Sequence, residues 1–228
     1  MKMAEAMTSE ATLRVCPHCG ATSEGVHFCA ACGKILPLAA GSDYFAFFGL
    51  PRKLRLDEGA LEREFYTLSR QLHPDYFMNA SEAERAASVE RASRLNDAYR
   101  TLRDRTARAQ YLLGLAGYKE AEKKAPPDLL EEVFDLNMQV EELKAAKKMG
   151  DEDEVQEARA ALDEALGGLK DKLDDIDARL FAVFADWDAA VDRGAGEQEQ
   201  RPVLDRMSEL LSHRSYIRNL VRDIREEF

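Results

Sequence analysis

The sequence predicts a mainly α-helical protein in which a helical hairpin and a three-helix bundle follow a small cysteine-rich ribbon. Three observations support this fold class. All four cysteines lie between residues 16 and 32, apolar residues recur at helical spacing from residue 61 onward, and a His-Pro-Asp sequence follows the first long amphipathic segment. We predict three parts, at residues 1–41, 42–117 and 118–228.

Composition and charge exclude several classes of function. The 228 residues contain no apolar run as long as a membrane span and no signal-peptide pattern in the first thirty, so we expect a cytoplasmic protein without a membrane segment. Basic and acidic residues number three and three in 1–41, 12 and 11 in 42–117, and 17 and 29 in 118–228. The acidic last part disfavours nucleic-acid binding, and the contrast between parts suggests two protein partners.

The chain contains two Cys-x-x-Cys pairs, each followed by glycine: Cys16 with Cys19, and Cys29 with Cys32. Two thiolates in one tight turn bind a single metal ion, so two such turns complete a tetrahedral, closed site that is structural and not catalytic. Zinc is the predicted metal, and the alternatives are rubredoxin-type iron, a pair of disulfides, or cysteines without a role. His18 and His27 are expected at the surface, and residues 36–41 are expected to form the exit from the ribbon and a short linker.

The middle part predicts a helical hairpin. Asp57 is a good N-cap for a first helix, which must end near Leu72 because the residue before a proline is disfavoured in the α conformation. Ser81 and Glu84 form a capping box that begins the second helix. The segment "DYFAFFGL" at 43–50 predicts a short aromatic helix against one side of the pair.

The last part predicts three packed helices. Apolar residues alternate steps of three and four over 129–143, 162–187 and 207–224, the spacing of a bundle with shallow crossing angles. The third run has one polar member, Arg214, and Pro202 is expected at its first helical position.

A second apolar row, formed by Leu130, Phe134 and Met138, is turned away from the bundle seam. Acidic residues surround it, among them Asp135 and Glu142. Apolar patches with a polar rim often mark partner sites, so a binding face is predicted. Packing of the row against the preceding helical part is the alternative.

His73-Pro74-Asp75 has three interpretations. A catalytic His-Asp pair would need a nucleophile and an oxyanion hole, and the sequence has no recognisable nucleophile elbow. A plain turn between helices is the second interpretation, and a docking signal for another protein is the third. No catalytic residue is predicted, and we expect no enzyme activity.

The chain resembles a J-domain protein, and in particular the HscB-type co-chaperones of iron–sulfur cluster assembly. The motifs that carry the resemblance are "DYFAFFGLP", "RQLHPDYF", "LNDAYRTL", "RAQYLLGLAG" and the acidic helical tail, over residues 42–228. The cysteine ribbon is similar to the extension of mitochondrial members of that family.

The resemblance implies a partner for the loop. In J-domains this loop docks on a DnaK- or HscA-type chaperone and stimulates its ATPase, which assigns that role to His73, Pro74 and Asp75. The face of the preceding helix that would assist consists of Arg63, Thr67 and Arg70. Tyr76 departs from the family, which often has lysine there.

The resemblance also implies a client, the IscU-type scaffold on which iron–sulfur clusters are assembled. The implied scaffold-binding positions are Leu130, Phe134, Asp135, Met138, Glu142 and Tyr216. We expect a co-chaperone, monomeric or weakly dimeric, that delivers the scaffold to the chaperone for cluster transfer. A general J-domain co-chaperone that serves other clients in protein folding is the alternative.

Overall fold

The computed structural model describes residues 14–39, 41–118 and 127–226. Three predictions lie outside these residues: the absence of a signal peptide in 1–13, the linker position at residue 40, and the first residues of the last part, 119–126. The chain forms two compact units, Met1–Tyr111 and Leu112–Phe228. The boundaries predicted at 41 and 117 stay predictions.

The first unit begins with the ribbon. Two short antiparallel strands, β1 (Arg14–Val15) and β2 (Thr22–Ser23), pair around the first cysteine turn. An isolated bridge between Phe28 and Ile35 closes the second turn. Cys16, Cys29 and Leu36 form the small core.

One expectation about the ribbon, the surface position of His27, is wrong. Leu36, at the predicted exit, is almost fully buried in the ribbon core. His27 is also buried, because its Nε2 lies 2.9 Å from the carbonyl oxygen of Phe47 and its ring packs edge-on against that phenyl group. His18 is exposed, as predicted.

The rest of the first unit is helical. Helix α1 (Tyr44–Phe47) buries two phenylalanines completely, which confirms the predicted aromatic helix. The hairpin consists of α2 (Glu58–Gln71) and α3 (Glu82–Arg103), and α4 (Arg105–Leu115) follows. Asp57 caps α2, and Ser81 and Glu84 form the predicted capping box of α3.

The second unit contains three long helices: α5 (Leu130–Met149), α6 (Glu152–Asp192) and α7 (Glu197–Arg225). Both α5 and α7 pack on α6, and a 3₁₀ turn at Pro127–Leu129 leads into α5. The seam residues predicted from the three-four spacing are mostly buried. The predicted fold class is confirmed: along the chain, a helical hairpin and then a three-helix bundle follow a cysteine ribbon.

The prediction for Pro202 is wrong. Helix α7 begins after Gly196, so the proline lies at its sixth position and not at its first. The turn at Gly196 already starts the helix, since its carbonyl oxygen accepts from the amides of Glu199 and Gln200. Two acidic residues in the first turn favour this earlier start through the helix dipole.

None of the described helices is long and apolar enough to cross a membrane.

Candidate functional sites

The four cysteines converge on one point in the ribbon. Their sulfur atoms all lie within 4.8 Å of one another, with 3.6 Å between Cys16 and Cys32 and 3.7 Å between Cys19 and Cys29. A tetrahedral zinc site with Zn–S bonds of about 2.3 Å would have sulfurs about 3.8 Å apart. The thiols are free, so the disulfide alternative is not supported. The donor set therefore fits one tetrahedral metal ion.

The two cysteine turns have the same backbone geometry. In each, the glycine after the pair donates to the carbonyl oxygen of the first cysteine, and both glycines have the positive φ that favours this residue type. A hydrogen bond from the backbone amide of Cys32 lowers the pKa of the Cys29 thiol to about 6. A thiolate is the form that binds a metal, so this bond favours metal binding by Cys29. At Cys32, a backbone hydrogen bond from Lys34 is outweighed by burial and by hydrogen bonds with the neighbouring thiols, which raise the pKa to about 12.

His73-Pro74-Asp75 lies on an exposed, ordered loop between α2 and α3. Leu72 ends α2, His73 has an extended backbone, and Pro74 begins a 3₁₀ helix that runs to Phe77. The backbone amide of Asp75 donates to His73 Nδ1 at 3.3 Å, so a neutral imidazole has its proton on Nε2. Both side chains are mostly exposed, and the Asp75 carboxylate lies 3.5 Å from Nδ1. The loop presents to the solvent an imidazole oriented by this hydrogen bond and, next to it, an exposed carboxylate.

Helix α3 holds both ends of this loop. The buried hydroxyl of Ser88 donates to the carbonyl oxygen of Leu72 at 2.7 Å. Near the other end, the guanidinium group of Arg85 donates to the carbonyl oxygens of Met78 and Ala80. The loop conformation is therefore set by α3 as well as by proline.

The predicted residues on α2 share one exposed face. Arg63, Thr67 and Arg70 are spaced by four and three residues, and the Thr67 hydroxyl donates to the Arg63 carbonyl oxygen at 3.0 Å. This face leads directly to the loop. Sequence reasoning missed Tyr66, which is exposed beside Thr67.

Two further large side chains are exposed near His73 and enlarge the surface that the loop presents. Tyr76 is 75% exposed and Met78 is 67% exposed, and the Tyr76 ring stands edge-on to the imidazole at 6.3 Å. Met78 was not predicted as a site residue. Its signal in the sequence was weak, because a loop has no period that separates exposed from buried positions.

The second predicted site lies on α5. Leu130, Phe134 and Met138 are 55%, 65% and 51% exposed, whereas the seam positions Leu136 and Leu143 of the same helix are buried. Asp135 and Glu142 are exposed beside the row. We call Leu130, Phe134 and Met138 the α5 strip. Exposed apolar side chains of this size with an acidic rim favour a protein-binding surface.

Tyr216 lies on α7, where it is half-buried. Two ion pairs give its level in the bundle: Lys172 of α6 contacts Glu132 near the start of α5, and Asp177 of α6 contacts Arg214 of α7. Lys172 and Asp177 are about 7.5 Å apart along the axis of α6 at about 1.5 Å per residue. The first turn of α5 and the region of Tyr216 therefore lie within about two helical turns of each other along the bundle axis.

Comparison with known proteins agrees with this architecture. A DnaJ domain model matches residues 43–111. The chain is 39% identical over 140 residues to the co-chaperone protein HscB homolog of Azoarcus sp. strain BH72, covering 58% of this chain and 77% of that protein.

Two solved structures are also similar. Chaperone HscB from Vibrio cholerae matches with a TM-score of 0.55 and 28% identity, over 81% of this chain and 96% of that one. Human co-chaperone protein HscB matches with a TM-score of 0.61, over 93% of this chain and 98% of that one. Its identity is 22%, so this likeness concerns the fold alone.

Proposed function

The chain belongs to the HscB family of co-chaperones, and we propose that it stimulates the ATPase of an Hsp70-type chaperone while holding an iron–sulfur scaffold protein. The co-chaperone class and an Hsp70-type partner follow from the family and its DnaJ domain. The loop residues that trigger the chaperone, and the scaffold as client, are the proposed parts. ATP hydrolysis takes place in the partner, and this chain contributes binding surfaces.

The observation that carries the chaperone-binding proposal is the ordered exposure of His73 and Asp75. Proline fixes the backbone between them, and the amide of Asp75 orients the imidazole, so little conformational entropy is lost when the loop docks. Arg63, Thr67 and Arg70 extend this surface along α2. The two arginines would guide the loop toward an acidic groove, as expected for a DnaK- or HscA-type chaperone.

The α5 strip supports the scaffold-binding proposal. Its three apolar side chains, with Asp135 and Glu142 at the rim, would bind an IscU-type scaffold that offers an apolar patch beside basic residues. Tyr216 would add an aromatic contact from α7. An acidic balance of 17 basic to 29 acidic residues over 118–228 would favour a basic partner.

One chain that binds both proteins couples their equilibria. If the chaperone state that follows ATP hydrolysis holds the scaffold more tightly, then a chain that stimulates hydrolysis more strongly when scaffold is bound drives capture of that client. No acid, base or nucleophile of this chain is needed. The metal site in the ribbon has a structural role, for which zinc is the proposed ion.

A binding experiment separates this function from a general protein-folding role. Purified IscU-type scaffold is titrated into the full chain, into the double variant Leu130→Ala with Phe134→Ala, and into Met149→Ala. Met149 is an exposed apolar residue of the same helix outside the α5 strip. We expect the double variant to bind at least about tenfold more weakly and the control to bind like the wild type.

Two outcomes would contradict the scaffold proposal. One is no binding by the wild type, and the other is equal binding by the wild type and the double variant. Binding of an unfolded model client in place of the scaffold would instead favour the general J-domain co-chaperone.

A further inference from the structure

The packed face of α3 is polar over its first turns. Glu84, Ser88 and Arg91 are 8%, 0% and 2% exposed, and their spacing of four and three residues aligns them on one stripe of the helix. The buried stripe of an amphipathic helix is normally apolar. These three buried polar side chains, which are neighbours along the stripe, therefore require specific hydrogen-bond or ion-pair partners.

The outer two residues of this stripe bind the ribbon. The Glu84 carboxylate lies 2.5 Å from Lys34 Nζ, and the Arg91 guanidinium donates to the carbonyl oxygen of Leu36. The middle residue, Ser88, instead holds Leu72, the residue before His73. One stripe of α3 thus contacts both the ribbon and the origin of the His-Pro-Asp loop.

Lys34 and Leu36 are fixed by the second cysteine turn. The amide of Cys29 donates to the carbonyl oxygen of Lys34 at 2.9 Å, and the amide of Leu36 donates to that of His27 at 2.8 Å. A bound metal ion would cross-link this turn to the first one. A segment this short has little core of its own, so the positions of Lys34 and Leu36 depend on that cross-link.

Glu84 connects the ribbon to the far end of the loop. Its other carboxylate oxygen accepts from the hydroxyl of Ser81 at 2.9 Å and from the Ser81 amide at 3.4 Å. Ser81 is the N-cap of α3, where the loop ends. The carboxylate therefore joins a ribbon lysine to the residue that closes the loop.

We propose that the metal-loaded ribbon braces the His-Pro-Asp loop, with Lys34 and Glu84 as positioning residues. The ribbon orders the start of α3, and α3 in turn holds Leu72 and Ser81 at the two ends of the loop. The proposal rests on the proposed function, in which this loop triggers the chaperone. It adds that the order of the loop depends on whether a metal ion is bound in the ribbon.

Hydrogen exchange of the full chain tests this brace without any chaperone present. Backbone amides of residues 75–80 are followed in three samples: zinc-loaded wild type, wild type treated with chelator and reductant, and zinc-loaded Lys34→Met. We expect exchange about fivefold faster in the second and third samples, because a partly buried ion pair is lost in both. Lys34→Met leaves the four thiolates intact, so it tests the brace even where chelation unfolds the ribbon.

Two controls give the experiment its specificity. Arg206→Met removes an exposed ion pair with Asp186 in the other unit and should leave loop exchange unchanged. The amide of Leu68 in α2 reports general stability. Unchanged loop exchange in Lys34→Met, or acceleration of equal size at Leu68, would overturn the brace.

Failure of the brace differs from failure of the proposed function. If the exchange rates of the loop amides do not depend on the ribbon, but the chain still stimulates the chaperone ATPase, then the brace alone is contradicted. A wild-type chain that does not stimulate the ATPase contradicts the proposed function, whatever the exchange rates.

Discussion

The hydroxyl of Ser88 donates a 2.7 Å hydrogen bond to the carbonyl oxygen of Leu72, across the two helices of the hairpin. Leu72 ends α2 and directly precedes His73, so this bond fixes the point at which the loop leaves its helix. Ser88 is fully buried, so removal of its hydroxyl would leave the carbonyl oxygen of Leu72 without this side-chain donor.

Removal of that hydroxyl should therefore destabilise the first unit. We expect Ser88→Ala to lower the free energy of unfolding by about 1–3 kcal/mol, because a buried carbonyl oxygen loses its side-chain donor. Ser93→Ala, at an exposed position of the same helix, is the matched control and should change it by less than about 0.5 kcal/mol. Urea denaturation of both variants measures the difference, and equal values would contradict this role of Ser88.

The polar member of the α7 seam also has a testable partner. Arg214 donates to both carboxylate oxygens of Asp177, at 2.6 and 3.3 Å, and both side chains are largely screened from solvent. We expect Asp177→Asn to cost about 2 kcal/mol, the value of a charge-assisted hydrogen bond. Asp186→Asn breaks an exposed pair with Arg206 and should cost less than about 1 kcal/mol. A larger loss in Asp186→Asn than in Asp177→Asn would contradict the assignment.

The cysteine site predicts a metal content. Elemental analysis of the purified wild type should find about one zinc per chain, and Cys32→Ser should lose most of it, because three thiolates leave the shell open. His18→Gln should keep the metal, since this exposed histidine lies beside a complete four-thiolate set. Iron in place of zinc, or metal loss in His18→Gln, would contradict the proposed zinc site.

The Lys34–Glu84 pair predicts a pH dependence. A hydrogen bond from Lys34 lowers the pKa of the Glu84 carboxyl below its usual 4.5. A carboxyl whose pKa is lowered by folding stabilises the protein above its unfolded-state pKa, and this contribution is lost as the pH falls through the folded-state value. The wild type should therefore lose more stability than Glu84→Gln as the pH falls from about 6 to about 3.

The glutamine variant keeps an oxygen that can accept from Ser81, so the comparison isolates the charge. Glu82→Gln, at an exposed position of the same helical turn, is the control and should follow the wild type. Parallel stability curves for the wild type and Glu84→Gln would contradict the ion pair.

Local signals in the sequence predicted much of the fold. Asp57 and Ser81 begin helices, and Pro74 ends one, because caps and proline act on the backbone within a few residues. The α5 strip was predicted because its period sets it apart from the seam. Its exposure in the structure agrees with that reasoning.

Apart from the start of α7, where a local signal at Pro202 was misread, the errors and omissions concern contacts between residues that are distant in the chain. Lys34 and Glu84 are 50 residues apart, and His27 is 20 residues from the Phe47 carbonyl that it contacts. The spacing of apolar residues along a helix does not predict which distant polar residues contact each other. Asp177 as the partner of Arg214 was missed for the same reason, although the polar seam position itself was visible.

The most direct test of the whole account is the ATPase rate of the partner Hsp70-type chaperone in single-turnover conditions. The rate is measured with the wild type, with His73→Gln and with Leu130→Ala plus Phe134→Ala, each in the presence and absence of scaffold. We expect the wild type to raise the rate, and scaffold to raise it further. His73→Gln should abolish both increases while it still binds scaffold, and the double variant should lose only the scaffold-dependent increase. Equal stimulation by the wild type and His73→Gln would contradict the account.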